Sequence, residues 1–197
     1  ESTRDVLNMA IAMNADYIEL ANVQYYGWAF ENRKMLLPTK EQIENSYEIY
    51  QEFQELHKQK TKIFYIFADY YDGRPKPCQG GWGSDFIVVT PEGDMLPCLS
   101  ARTIPDLIFP SVCDGNLEDI WFNSSLFNKF RGEDWMKEPC RSCPERKMDF
   151  GGCRCQAFLL TGDAANTDPV CDKSPFHESY LGDVMESAPD DIRFRQM

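Results

Sequence analysis

Hydrophobic residues in the first part of the chain occur at two different spacings. Over residues 3–15, apolar side chains at Val6, Ala10 and Met13 recur every three to four positions, which predicts a helix with one buried face. Over residues 17–23, large apolar residues alternate with polar ones, which predicts a strand. The first two elements are therefore expected to be a helix and a strand.

A second helix and strand are predicted by stronger signals. Thr39 and Gln42 stand directly after Pro38 at the spacing of a capping box, so a helix is expected to begin there and to run to about residue 60. The apolar stripe expected on its buried face consists of Ile43, Tyr47, Tyr50, Phe53 and Leu56. Residues 63–68 form a continuous apolar run, which predicts a strand covered on both faces. Helix, strand, helix and strand in this order predict an α/β unit with a right-handed crossover.

The rest of the chain has shorter elements and more turn residues. Residues 69–85 are rich in glycine and proline and are interpreted as a linker. A hairpin is expected from residues 86–90 and 94–97, because Gly93 permits a tight turn between them. Helices are expected to begin near Asn116, at Ser124 or Ser125, and at Cys153.

The composition of the 197-residue chain excludes several classes of protein. Its formal net charge is −12 at pH 7, which argues against nucleic-acid binding because phosphate recognition needs a basic face. No apolar run approaches the ~20 residues that a membrane-spanning helix needs. Nothing near the N-terminus resembles a signal or transit peptide. A cytoplasmic protein with free thiols is therefore expected, with neither nucleic acid nor membrane as a partner.

Eight cysteines provide the clearest chemical signal in the sequence. Four of them lie between Cys140 and Cys155, a density that is typical of thiolates converging on metal. Cys140 and Cys143 form a Cys-x-x-Cys pair, and Gly151 and Gly152 allow the backbone to turn tightly nearby. The candidate ligands are Cys78, Cys98, Cys140, Cys143, Asp149, Cys153, Cys155 and Cys171. Eight candidates would supply two sites of four ligands each.

Disulfides, structural zinc and iron–sulfur clusters are the three kinds of site that such cysteines could form. Disulfide scaffolds are small and secreted, whereas this chain is too large and too poor in cysteine for that class. The spacing does not separate zinc from iron–sulfur clusters, since both use four thiolates. The remaining cysteine, Cys113, is interpreted as a free structural thiol, and the alternative is a role as an extra ligand.

The cysteine spacing resembles that of the SPASM domain, the iron–sulfur module of one branch of the radical S-adenosylmethionine (SAM) enzymes. Its first half is matched by Cys78, fourteen residues, Gly93, four residues and Cys98. Its second half is matched by the run from Cys140 to Cys153 and a later cysteine at position 171. The resemblance extends from about residue 17 to residue 179.

Asp149 stands where the SPASM pattern usually has cysteine. One branch of the family carries aspartate there and adds a cysteine two residues past Cys153, as this chain does at Cys155. That branch makes the redox cofactor pyrroloquinoline quinone. The alternative is that Asp149 is an ordinary solvated loop acid.

The resemblance implies two auxiliary iron–sulfur clusters with interleaved ligands. The first would be held by Cys78, Cys98, Cys153 and Cys155. The second would be held by Cys140, Cys143, Asp149 and Cys171.

The resemblance also implies a fold and a division into domains. Residues 1–70 would be the C-terminal α/β portion of the partial (β/α)₆ barrel of a radical SAM enzyme. Residues 71–180 would be a small α+β SPASM module with a β-hairpin, short helices and cysteine-rich loops, and residues 181–197 a tail. Three aromatic residues would then lie in a loop at the end of a barrel strand, against substrate or SAM: Tyr25, Tyr26 and Trp28. The alternative is that they are ordinary packing residues.

The reaction implied is that of an oxidoreductase acting on a small ribosomal precursor peptide. A further [4Fe–4S] cluster cleaves SAM, and a carbon–carbon bond forms between a glutamate and a tyrosine of the peptide, which a small chaperone protein presents. The Cys-x-x-x-Cys-x-x-Cys motif that binds the SAM cluster does not occur in this sequence. The chain is therefore interpreted as a C-terminal fragment that is inactive alone. The alternative is a zinc-bound structural or peptide-binding module without redox activity.

Overall fold

The computed structural model describes residues 2–24, 27–78 and 80–180, together with Phe194. Its helices are α1 (Ser2–Ala12), α2 (Gly27–Glu31), α3 (Arg33–Leu36), α4 (Lys40–His57), α5 (Asp69–Asp72), α6 (Leu117–Asn123), α7 (Ser125–Asn128), α8 (Arg146–Asp149) and α9 (Arg154–Thr161). Its strands are β1 (Tyr17–Ala21), β2 (Lys62–Ile66), β3 (Val88–Val89) and β4 (Met95–Leu96), and a 3₁₀ helix covers Leu99–Thr103. Among the described residues, the chain divides between Asp72 and Gly73 into two compact units.

The first unit is a small α/β arrangement in which two helices cover one face of a two-stranded sheet. β1 and β2 pair in parallel, with Tyr17 opposite Lys62 and Ala21 opposite Ile66. The buried core between the sheet and the helices α1 and α4 consists of Leu7, Ile18, Phe53 and Ile63. The predicted order of helix, strand, helix and strand is therefore present, with shorter helices, α2 and α3, between β1 and α4.

The capping box predicted before α4 is confirmed. The backbone N–H of Gln42 donates to Thr39 Oγ1 at 3.2 Å, and the backbone N–H of Thr39 donates to Gln42 Oε1 at 2.9 Å. Both bonds satisfy N–H groups that the first turn of a helix leaves without partners. A local signal in the sequence was enough to place this helix start.

Three expectations about burial in this unit are wrong. Val6 and Met13, expected on the buried face of the first helix, are 45% and 74% exposed, and Leu7 is the buried residue of α1 instead.

The stripe of α4 and the faces of β2 also differ from the expectation. Leu56 is 68% exposed, so the buried stripe of α4 is narrower than predicted and is fully buried only at Ile43 and Phe53. Phe64 and Ile66 of β2 are 49% and 38% exposed. The reason is that α1 and α4 pack on the same face of the sheet, and no described element of this unit covers the other face.

The second unit contains the predicted hairpin. β3 and β4 pair antiparallel, with Val88 opposite Leu96 and Val89 opposite Met95. Gly93 adopts a φ of 94° in the turn, a conformation that costs glycine little because it has no Cβ. Cys98 follows β4 of the hairpin and is the N-cap of the 3₁₀ helix.

The interpretation of residues 69–85 as a linker is wrong for their second part. Trp82 is only 2% exposed, and its indole N–H donates to the carbonyl of Leu126 at 2.8 Å. Its ring meets Phe130 edge to face at 5.2 Å between centroids. The segment is irregular because of its glycines, yet it carries the largest fully buried side chain of the second unit.

The short helices of the second unit begin where the capping residues predict. The Asn116 side chain accepts a hydrogen bond from the Asp119 N–H at the start of α6. Ser124 does the same for Phe127 at the start of α7. These caps satisfy helix N–H groups locally, which is why they can be recognised without tertiary information.

Candidate metal centres

Four cysteines form the first thiol group, which consists of Cys78, Cys98, Cys153 and Cys155. Cys78 precedes the buried Trp82, and Cys98 follows β4. Cys153 occupies the N-cap of α9, and Cys155 lies in the first turn of that helix. The irregular segment before Trp82, the hairpin and the start of α9 thus contribute the four cysteines.

The thiols of the first group lie close enough to influence one another's ionisation. Burial raises the pKa of Cys78 to about 12, and negative charge on Cys153 and Cys98 contributes to the rise. Burial likewise raises the pKa of Cys98, again with a contribution from Cys153. A hydrogen bond with Cys153 and burial raise the pKa of Cys155, which is fully buried. The raised pKa values of Cys78, Cys98 and Cys155 favour their protonated forms, and metal binding would displace those protons.

Three cysteines and one carboxylate form the second donor group, which consists of Cys140, Cys143, Asp149 and Cys171. All four line one pocket, which is open to solvent. The Cys140 sulfur lies 3.2 Å from Thr167 Oγ1. Burial raises the pKa of Cys171, and negative charge on Asp172, Asp149 and Cys140 raises it further.

Asp149 lies at the end of α8, and the next residue, Phe150, adopts a left-handed conformation with φ of 51°. One oxygen of the Asp149 carboxylate accepts the Gly151 N–H at 2.8 Å. Because the side chain also lines the pocket, this bond orients the carboxylate beside the three thiols. This position beside the three thiols is compatible with Asp149 as a ligand. A solvated loop acid would not need to lie there.

A positive side chain faces the second donor group. Lys173 Nζ lies 3.7 Å from the Cys143 sulfur and donates to Glu145 Oε2 at 3.1 Å. Arg146 also lines the pocket and is ion-paired with Glu133. Negative charge gathered on three thiolates and a carboxylate would be partly balanced by these cations.

Two buried polar residues lie beside the thiol groups and were not anticipated from the sequence. Arg154 is 1% exposed, stacks over the Trp135 ring at 4.7 Å, and donates to the carbonyls of Ala164 and Asn166 at 2.7 and 2.8 Å. Its charge lowers the pKa of both Cys78 and Cys140, against the larger effect of burial. The sequence signal that could have identified Arg154 is its position between the candidate ligands Cys153 and Cys155.

Asp168 is the second of these residues. It is fully buried, and burial raises its pKa to about 6 although hydrogen bonds from Gln156 and from the backbone of Val170 and Cys153 oppose the rise. No spacing in the sequence indicated it, because its partners are brought to it by the fold.

The donor groups are not preformed as the ligand shell of a single metal ion. Among the described residues, no three His, Cys, Asp or Glu side chains are arranged to hold one metal ion. In a four-iron cluster each thiolate binds a different iron, so the ligands of a cluster lie farther apart than those of a single ion. All eight cysteines are free thiols, and seven of them belong to the two donor groups. The eighth, Cys113, is exposed.

The aromatic residues proposed to line a substrate cavity are only partly described. Tyr25 and Tyr26 lie outside the described residues. Trp28 belongs to α2 and is 44% exposed, so this part of the predicted loop is helical instead. Contact of Trp28 with substrate or SAM stays a prediction.

Comparison with known proteins bears on the cysteine pattern directly. Residues 71–144 match the family model of SPASM, an iron–sulfur cluster-binding domain. The chain carries a SPASM domain. The matched region of this SPASM domain includes Cys78, Cys98, Cys140 and Cys143 and ends before the remaining candidate ligands.

A relative supports the same resemblance over most of the chain. The chain is 52% identical over 178 residues to a protein of Bradyrhizobium diazoefficiens named PqqA peptide cyclase. The alignment covers 90% of this chain and 47% of that protein, so the chain spans about half the length of the relative. The predicted resemblance is confirmed in that the chain is similar to a PqqA peptide cyclase and carries a SPASM domain.

A solved structure supports the general fold. It is the crystal structure of SuiB from Streptococcus suis bound to S-adenosylmethionine, with a TM-score of 0.55 and 15% identity. The likeness covers 85% of this chain and 41% of SuiB. At this identity it shows the fold alone.

Among the described residues, no helix has both the length and the apolar character to cross a membrane.

Proposed function

We propose that the SPASM domain of this chain holds two auxiliary iron–sulfur clusters, one on the first thiol group and one on the second donor group. The observation that carries the proposal is the separation of the eight candidate ligands into two groups of four. Within each group the donors influence one another electrostatically, and the second group shares one pocket. Such clusters supply one-electron transfer when they are bound.

The chain's own residues would support the clusters in three ways. Cys78 and Cys155 of the first group are buried, and this shelter from water favours tight binding of a cluster once the protons of the thiols are displaced. The N-terminus of α9 lies at Cys153 and Cys155, where its positive end favours thiolates. Arg154 and Lys173 add positive charge near the two groups.

We further propose that the whole protein containing this chain is a radical SAM peptide cyclase. The proposal rests on 52% identity to PqqA peptide cyclase over 90% of the chain. Its substrate would be the PqqA precursor peptide, in which a carbon–carbon bond joins a glutamate and a tyrosine, and a small chaperone protein would present that peptide. The first unit would be the last portion of a (β/α)₆ barrel, and the free thiols suit the reducing cytoplasm.

SAM and its own [4Fe–4S] cluster belong to the whole protein in this proposal. The sequence contains no Cys-x-x-x-Cys-x-x-Cys motif, so this chain alone is expected to release no 5′-deoxyadenosine from SAM. Release of 5′-deoxyadenosine by the purified chain would contradict that expectation.

The cluster proposal is tested by iron and sulfide analysis with EPR on protein prepared and reconstituted without oxygen. Two clusters of two to four irons correspond to about four to eight iron atoms per chain. Cys155→Ser should remove the signal of the first group alone, and Cys143→Ser that of the second group alone. Cys113→Ser is the matched control and should change neither, because Cys113 is exposed and belongs to neither group.

Two results would overturn the proposal. Zinc bound in place of iron, with iron refused during reconstitution, would make this a structural zinc module. An iron content that survives both Cys155→Ser and Cys143→Ser would show that the donor groups are wrongly assigned.

A further inference from the structure

Asp168 is a fully buried carboxylate in the irregular segment between the end of α9 and Cys171. Burial of a carboxylate is costly unless hydrogen bonds compensate it. Neither the cluster assignment nor the cysteine pattern accounts for this residue. Its contacts therefore indicate what the burial achieves.

The carboxylate of Asp168 holds the backbone of a candidate ligand. One oxygen, Oδ2, accepts the backbone N–H of Cys153 at 2.8 Å. The other, Oδ1, accepts from Gln156 Nε2 at 2.9 Å and from the Val170 N–H at 3.1 Å. The second oxygen thus orients the carboxylate, and the first fixes the N–H of a residue of the first thiol group.

The main chain of Asp168 holds a ligand of the other group. Its carbonyl accepts the backbone N–H of Cys171 at 3.0 Å, and its own N–H donates to the Gly151 carbonyl at 3.2 Å. A single residue therefore connects Cys153 through its side chain and Cys171 through its backbone. Replacing the side chain would break only the first of these connections.

Gly152 shows how closely the loop before Cys153 packs on this carboxylate. A Cβ added to Gly152 would lie 2.4 Å from Asp168 Cβ and 2.6 Å from Oδ2, which is closer than real Cβ atoms come. Gly152 also adopts a φ of 82°, which disfavours other residues. The loop and the carboxylate thus fit each other at van der Waals distance.

We propose that Asp168 is a positioning residue that holds Cys153 in place for the cluster of the first thiol group. The proposal rests on the cluster assignment above and adds a residue that touches no iron itself. Residues behind metal ligands fix the ligand's orientation, and their loss typically weakens metal affinity ~10–100-fold.

The test is selective loss of one cluster in Asp168→Ala. We measure how much chelator removes each cluster, with the Cys155→Ser and Cys143→Ser spectra identifying the two signals. The first cluster should be lost at ~10–100-fold lower chelator activity than in the parent chain, while the second cluster is retained. Asp168→Asn should weaken the first cluster less than Asp168→Ala does, because its amide oxygen can still accept the Cys153 N–H although its NH2 group then faces the Val170 N–H.

Asp134→Ala is the matched control, since Asp134 is an exposed aspartate of the same unit, and it should leave both clusters unchanged. Equal loss of both clusters in Asp168→Ala, or loss of neither, would overturn the proposal. Absence of two cluster signals in the parent chain would instead refute the cluster assignment itself.

Gln156→Leu replaces Asp168→Ala if that variant fails to fold. Gln156 Nε2 orients the carboxylate, whereas its buried Oε1 has no hydrogen-bond partner among the described residues, so leucine should be tolerated. Selective weakening of the first cluster is again expected, and equal weakening of both clusters would overturn the proposal.

Discussion

Removal of the buried guanidinium of Arg154 should destabilise the second unit even when no metal is bound. In Arg154→Met a flexible apolar side chain replaces the cation, and the carbonyls of Ala164 and Asn166 lose donors at 2.7 and 2.8 Å. The carbonyls of Gly151 and Gly152 lose donors as well. Hydrogen bonds to charged groups contribute about 1.5–3 kcal/mol each. The bonds to Ala164 and Asn166 alone amount to about 3–6 kcal/mol, from which the cost of burying the cation is subtracted. We expect a net loss of about 3 kcal/mol in the free energy of unfolding.

The measurement is thermal unfolding of the metal-free chain followed by tryptophan fluorescence. Three of the four tryptophans, Trp82, Trp121 and Trp135, lie in the second unit, so fluorescence mainly reports its unfolding. For a unit of this size, 3 kcal/mol corresponds to a Tm lowered by roughly 12–15 °C.

Two further variants make the result for Arg154 interpretable. Arg154→Lys keeps the charge but cannot reproduce the fork of donors, so its loss should be intermediate. Arg141→Met is the control because Arg141 is exposed, and it should change stability by no more than about 0.5 kcal/mol. If Arg154→Met is as stable as Arg141→Met, the reasoning from buried carbonyl groups is refuted.

Three other substitutions test separate parts of the structure. Asp149→Ala should alter the EPR signal of the second cluster while Asp149→Cys retains a four-ligand site, and an unchanged signal in Asp149→Ala would show that Asp149 is not a ligand. Trp82→Phe removes the N–H that donates to Leu126 O at 2.8 Å and should cost about 1–3 kcal/mol in thermal unfolding; no loss would contradict the importance of this bond. Thr39→Ala removes the acceptor for the Gln42 N–H and should lower the stability of the first unit by about 1 kcal/mol, measured by denaturant unfolding followed by circular dichroism, whereas Thr39→Ser should be nearly neutral.

Local signals predicted the elements of this chain well where a few neighbouring residues decide the outcome. The capping box at Thr39, the cap at Asn116 and the turn at Gly93 all depend on backbone groups within four residues. The boundaries of α1 and β2 differ from the prediction by a few residues, because the last turns and strand ends depend on contacts outside the local pattern.

Burial was less predictable, because it depends on what lies opposite each face. The apolar run that contains Phe64 suggested a strand covered on both sides, yet one face of β2 is open among the described residues. Conversely, the Gly- and Pro-rich composition around Trp82 suggested a linker, although Trp82 is a buried residue of the second unit. Composition reports local flexibility, whereas burial is a property of packing.

The sequence by itself determined the candidate chemistry, because cysteine spacing and the identity of thiolate donors are local facts. It placed Cys140 and Cys143 in one loop and identified eight candidate ligands, which the resemblance to the SPASM pattern then divided into two sets of four. Only the tertiary structure decided what surrounds them, because Arg154 and Asp168 act on groups that are distant along the chain or on other elements. Arg154 affects Cys78 across more than seventy residues, and Asp168 joins Cys153 to Cys171 through hydrogen bonds that exist only in the folded chain.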